Sequence, residues 1–116
     1  MKIRILNNTI RYRLTRSEVT TLGETGMIEA QTSFTGNSLH YAIEQYSEQQ
    51  LRVTFKANRI TLYMPKQMID ELQNSSQVGF EDTTGPVSIL IEKDFVCLDN
   101  REEDQSDNYP NPNMVC

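Results

Sequence analysis

The chain is predicted to be α+β: a duplicated ββαββ unit forming an eight-stranded antiparallel curled sheet or barrel with two short helices, followed by an acidic, extended C-terminal tail. Three observations predict this. Period-two alternation of apolar and polar residues recurs in eight short segments, which is the pattern of half-buried strands. Two segments with helical spacing of apolar residues interrupt the alternation, each preceded by a helix-start signal. Finally, "KIRILNNTIRYRLTRSEVTTL" lies over "RVTFKANRITLYMPKQMIDEL" without a gap at an offset of fifty residues, and self-similarity at a fixed spacing marks a repeated structural unit. In that overlay Ile3 meets Val53, Asn8 meets Asn58, Ile10 meets Ile60, Val19 meets Ile69 and Leu22 meets Leu72.

Taken in order, strands are expected at about 2–6 and 9–14, joined by Asn7-Asn8, a residue type that tolerates positive φ in a tight turn. Thr15 and Glu18 have capping-box spacing and open a short helix through Val19 and Leu22, which Gly23 can end. "MIEAQTSF" then alternates Ile28, Ala30, Thr32 and Phe34 against Glu29, Gln31 and Ser33, and "TGN" turns it into "SLHYAIEQ". After the short connection "YSEQQ" the pattern starts again, with strands at about 51–56 and 59–64 around Ala57-Asn58. Pro65 suits the start of a helix at about 66–73, whose Met68, Ile69 and Leu72 make one apolar stripe. Val78 and Phe80 give a short strand, "DTTGP" a turn, and Val87, Ile89 and Ile91 the last strand. The repeats are thus about 2–45 and 51–94, in a single domain 1–98 with a tail at 99–116. Eight strands of this kind cover their apolar faces either by closing into a barrel or as two packed sheets.

Length and composition bound the function. A chain of 116 residues, 37% apolar and 23% charged, makes one soluble domain with one core. No stretch approaches the roughly 20 apolar residues of a membrane span, and the first residues lack a signal-type apolar run, so a cytoplasmic protein without membrane attachment is expected. Cys97 and Cys116 have neither CxxC nor Cys/His spacing, which predicts reduced thiols and no structural metal. The net charge of −5 is unevenly spread: from Glu92 onward, Glu92, Asp94, Asp99, Glu102, Glu103, Asp104 and Asp107 stand against only Lys93 and Arg101. Conversely Lys2, Arg4, Arg11, Arg13 and Arg16 all precede the first acid, Glu18.

Because strand side chains alternate, fixing the apolar face also fixes the polar one. That face carries Lys2, Arg4, Arg11, Arg13, Arg52, Lys56 and Arg59, with Glu29, His40, Glu44, Glu81 and Glu92. Guanidinium groups held in rows on strands suit phosphate or carboxylate oxygens, so Arg4, Arg11, Arg13, Arg52, Lys56 and Arg59 are the candidate anion-binding residues. The bland counterpart is a solvated sheet face.

No catalytic set stands beside them. His40 is the single histidine, Ser17 and Ser106 have no histidine at readable spacing, and Cys97 sits among apolar residues and acids that oppose a thiolate. "DNREEDQSD" offers oxygen ligands but lacks the central glycine and closing glutamate of a calcium loop. No cofactor is expected. Nucleic acid is disfavoured by the acidic balance and by Tyr12, Tyr41 and Tyr63, which fit strand packing better than base stacking.

The duplicated plan with a basic polar strand face resembles the triphosphate tunnel metalloenzymes, whose eight-stranded barrel binds triphosphate with bases and metal with glutamates. Their first strand alternates Glu-x-Glu-x-Lys, whereas this chain has Lys2-Ile3-Arg4-Ile5-Leu6, so the resemblance implies anion binding without the metal-dependent hydrolysis. "IRYRLTRSEV", "VGFE", "KDFVCLD", "EEDQSD" and "YPNP" also resemble a family of short uncharacterised bacterial proteins, which implies no activity. Two functional expectations follow: a non-enzymatic barrel binding a small phosphorylated or other anionic ligand, or an interaction module whose acidic tail docks on a basic protein partner.

Overall fold

The computed structural model describes residues 1–95, so the expected tail at 99–116, together with Val96, Cys97 and Leu98, lies outside the described residues. Within them the chain runs β1 (Lys2–Leu6), β2 (Thr9–Leu14), α1 (Arg16–Thr25), β3 (Met27–Phe34), β4 (Asn37–Tyr46), β5 (Arg52–Lys56), β6 (Arg59–Pro65), α2 (Lys66–Asn74), β7 (Gly79–Asp82) and β8 (Ser88–Lys93). All eight expected strands and both helices are present, and the fold class is α+β.

The strands do not close into a barrel. They form two four-stranded sheets: sheet A in the order β1-β2-β8-β7 and sheet B in the order β3-β4-β6-β5. Each sheet therefore takes one hairpin from each half of the chain. The four hairpins are antiparallel, as expected, but the central pairs β2–β8 and β4–β6 run parallel. Alternation of side chains fixes which face a residue occupies and leaves strand direction open, so the sequence pattern did not reveal the parallel centre.

The apolar faces of both sheets share one core with the helices. Ile10, Tyr12, Leu14, Ile89 and Ile91 of sheet A pack with Ile43, Ile60, Leu62 and Met64 of sheet B, and with Val19, Leu22, Ile69 and Leu72 from α1 and α2. Burying such side chains supplies roughly 1.5–3 kcal/mol apiece relative to exposure, enough to hold two sheets that share no strand. The polar face of each sheet is therefore the one turned away from this core.

The helix starts follow the sequence closely, and one helix end does not. Thr15 caps α1, and its capping box with Glu18 is complete. The helix runs past Gly23 and ends instead at Gly26, whose φ of 80° is left-handed and whose N–H bonds to the Leu22 carbonyl. Gly23 serves another purpose: a Cβ there would lie 2.1 Å from Gln73 Oε1, so the missing side chain lets α2's Gln73 lie against α1. Helix α2 begins directly after Pro65, which has no N–H to leave unpaired.

Candidate functional site: the basic face of sheet A

Strand register converts the polar set into rows. Across sheet A the outward residues line up as Lys2, Arg13, Glu92, Gly79 and, one row further along, Arg4, Arg11, Leu90, Glu81. Four bases from β1 and β2 thus form two adjacent cross-strand pairs, Lys2 opposite Arg13 and Arg4 opposite Arg11. Across sheet B the corresponding rows are Arg52, Tyr63, Glu44, Met27, then Thr54, Thr61, Ala42, Glu29, then Lys56, Arg59, His40, Gln31.

The six sequence-predicted residues consequently separate into two sets. Arg4, Arg11 and Arg13 meet on sheet A; Arg52, Lys56 and Arg59 lie on sheet B. Lys2 belongs with the first set, and only the register reveals it, because its place opposite Arg13 is a matter of pairing rather than of alternation.

On sheet A, Arg13 Nε donates to Glu92 Oε1 at 3.0 Å, and Arg11 Nε lies 3.6 Å from the same oxygen. Lys2 Nζ is 2.9 Å from Asp94 Oδ2 while its own side chain stays 72% exposed. That hydrogen bond from Lys2 holds the Asp94 carboxyl below the ordinary range. Neither Arg4 nor Arg11 is without a partner. Arg4 is exposed, and Arg11 and Arg13 are half-exposed, so the guanidinium groups remain open to solvent along the strands.

Sheet B is better balanced. Arg59 is bracketed by two carboxylates, with Nη1 3.2 Å from Glu29 Oε2 and Nη2 3.7 Å from Glu44 Oε2. His40 stands between Gln31 and Arg59 in its row rather than directly beside an acid. Tyr63 lies half-buried on this face, packed in the sheet with its ring 5.5 Å from that of Tyr46.

The two faces are built to one plan. Matching β1–β4 to β5–β8 turns one sheet order into the other. The same matching sets Glu92 with Glu44, Glu81 with Glu29, and Lys2 with Arg52. The turns agree too: the Ser88 N–H donates to the Asn8 carbonyl at 3.0 Å, and the His40 N–H to the Asn58 carbonyl at 2.9 Å. Within these two rows Arg4, Arg11 and Arg13 of sheet A stand where sheet B has Thr54, Thr61 and Tyr63; in the next row the exchange runs the other way, Leu6 and Thr9 of sheet A standing where sheet B has the facing bases Lys56 and Arg59.

A separate cleft of about 570 Å³ opens where β2 and β8 meet the helices, lined by Leu14, Val19, Leu72 and Phe95 with Arg16 and Lys93 at its polar edge. Nothing in the sequence pattern marked it, since residues 14–20 of β2 and α1 meet Leu72, Gln73 and residues 93–95 there only through the tertiary fold. Among the described residues, no three of His, Cys, Asp or Glu gather where they could hold a metal ion. No described helix is long and apolar enough to cross a membrane. The acids on which the interaction-module expectation rests, Asp99 to Asp107, lie outside the described residues.

No curated protein and no solved structure matches the chain. A family model matches residues 1–113, which takes in both sheets, both helices and nearly all that follows. The chain therefore belongs to that family, a family of unknown function, DUF7009.

Proposed function

We propose that the chain is a non-enzymatic binding module whose sheet A face, formed by Lys2, Arg4, Arg11 and Arg13, holds an oxyanion-bearing ligand of phosphate type. One observation carries this reading: two like-charged pairs stand directly opposite one another in adjacent rows, Lys2 with Arg13 and Arg4 with Arg11. Like charges facing across a strand pair destabilise a sheet, and the fold does not call for them. At the matching positions of sheet B three of the four bases are replaced by Thr54, Thr61 and Tyr63, and that sheet forms all the same; its one facing pair of bases, Lys56 and Arg59, has Arg59 held by Glu29 and Glu44. Bases the scaffold can do without, concentrated on one solvent-facing surface, are what recognition of an anion requires, since forked guanidinium donors match phosphate oxygens. The likeness to the triphosphate tunnel enzymes contributes only the class of anion; here the ligand lies across an outer face rather than in a tunnel. The soluble cytoplasm, where phosphorylated ligands abound, is the compartment this reading calls for.

The test is thermal unfolding with millimolar tripolyphosphate. A ligand that binds only the native state stabilises it by mass action, about 2.7 kcal/mol at a hundredfold excess over Kd. Arg4→Ala with Arg11→Ala is expected to abolish the rise in Tm, while Arg52→Ala with Lys56→Ala leaves it in place. No rise in the wild type, or an equal rise in both double variants, overturns the proposal.

A further inference from the structure

The chain's own charge layout supplies a ligand for this face. We propose that the acidic segment Asp99, Glu102, Glu103, Asp104 and Asp107 is an intramolecular occupant of the Lys2–Arg4–Arg11–Arg13 face and competes there with an external anion; this rests on the anion-binding reading above and adds its regulation.

Three observations converge on it. The first is complementarity: residues from Glu92 onward account for the whole net charge of −5, and the four bases of the face come before the first acid in the sequence. The second is the path of the chain as it leaves β8. Asp94 turns across the end of β2, its N–H donating to the Leu14 carbonyl at 2.8 Å, and its carboxylate meets Lys2 Nζ at 2.9 Å. The first acid beyond β8 thus already engages the first base of the face, and it does so on the β1 side.

Reach is not limiting. Asp99 is five residues past Asp94, so an extended chain carries it up to about 17 Å. Arg4 and Arg11 stand one row, or about 7 Å, from Lys2 and Arg13. The third observation is the asymmetry between the sheets. The acidic segment is continuous with a strand of sheet A, and sheet A carries two adjacent facing pairs of bases where sheet B carries one, Lys56 opposite Arg59, whose Arg59 is already held by Glu29 and Glu44.

A tethered ligand needs no strong contacts. Exposed ion pairs are individually weak, but the tether replaces a bimolecular encounter by a high effective concentration, and salt should release the segment. If the occupied form dominates by about ten to one, the apparent affinity for an external anion falls about tenfold.

The experiment uses the full-length chain. With Cys97→Ser and Cys116→Ser, a nitroxide is attached at Gln105→Cys and amide relaxation is read across both sheets. In parallel, tripolyphosphate affinity is measured by calorimetry for the wild type and for a full-length variant with Asp99→Asn, Glu102→Gln, Glu103→Gln, Asp104→Asn and Asp107→Asn. Expected are selective broadening of the β1 and β2 amides, its loss in 1 M salt or when those five changes are added, and tripolyphosphate binding about tenfold tighter in the neutralised variant. Absence of selective broadening, or equal affinity in both proteins, overturns the intramolecular ligand. Broadening on sheet A with no tripolyphosphate binding by either protein upholds the docking and overturns competition along with the anion-binding reading. Broadening centred on β5 and β6 overturns the assignment to sheet A.

Discussion

Tyr12 sits in the centre of sheet A's inner face, fully buried, and its hydroxyl has no hydrogen-bond partner among the described residues. Burial pushes its phenol well above the usual range. The matching residue of the second half is Leu62, which fills the same role without a polar atom. An unsatisfied buried hydroxyl costs about 1–3 kcal/mol, so Tyr12→Phe is expected to raise stability by about 1 kcal/mol in urea unfolding, and a loss of that size would show that the hydroxyl has a partner. Carboxylates at the opposite extreme set the acid limit. Burial raises the Glu18 carboxyl, but hydrogen bonds from the N-terminal ammonium and from the Thr15 amide and hydroxyl outweigh it and bring the net value below ordinary. Asp82 is lowered by the Thr84 hydroxyl and amide, at 2.6 and 2.9 Å. A group depressed in the folded state contributes stability that is present above its unfolded pKa and lost as pH falls through the folded value. Stability should therefore fall below about pH 4, and Glu18→Gln should flatten that decline while leaving Asp82's share. An acid limb unchanged by the substitution would contradict the assignment.

At the scale of the element, two glycines that look alike in sequence have opposite expectations. A Cβ at Gly79 would stand 2.3 Å from the Ile91 carbonyl oxygen, a backbone atom that cannot move without disturbing the β7–β8 ladder. Gly79→Ala should cost about 1–3 kcal/mol. At Gly23 the obstacle is the far end of Gln73, which can swing away, and alanine is favoured over glycine within a helix by about 1 kcal/mol, so Gly23→Ala should be neutral or mildly stabilising in the same unfolding assay. Equal losses at both sites would refute this distinction. Much of the element layer was legible in the sequence: the bounds of β1, β2 and β3 and the Thr15 cap follow directly from alternation and capping chemistry. The end of α1 was not, because Gly23 and Gly26 are equally competent stops and only packing against α2 selects between them. Nor was the division of the bases between two sheets. Alternation assigns Arg4 and Arg59 to polar faces correctly, but which strands pair is settled by contacts between halves of the chain that no local pattern encodes.

For the whole molecule the decisive feature is exchange between halves: each sheet takes two strands from residues 2–46 and two from residues 52–93. Neither half owns a complete sheet, and a lone hairpin in water is marginal at best. Fragments 1–46 and 51–116 should each lack cooperative unfolding and gain it on mixing, as read by circular dichroism; a cooperative transition in either fragment alone would show that the halves are independent units. The same exchange gives the molecule two outward polar faces of common plan, one with a single facing pair of bases, Lys56 and Arg59, the latter held by Glu29 and Glu44, and one with two such pairs, Lys2 with Arg13 and Arg4 with Arg11. On that contrast rests the central claim, that sheet A's face is an anion site. Its most direct test is a tripolyphosphate titration of the full-length protein at low salt, followed by amide chemical shifts. Saturable shifts concentrated at residues 2–13, with those of β5 and β6 unmoved, are expected; shifts that never saturate, or that spread evenly over both sheets, would rule the anion site out.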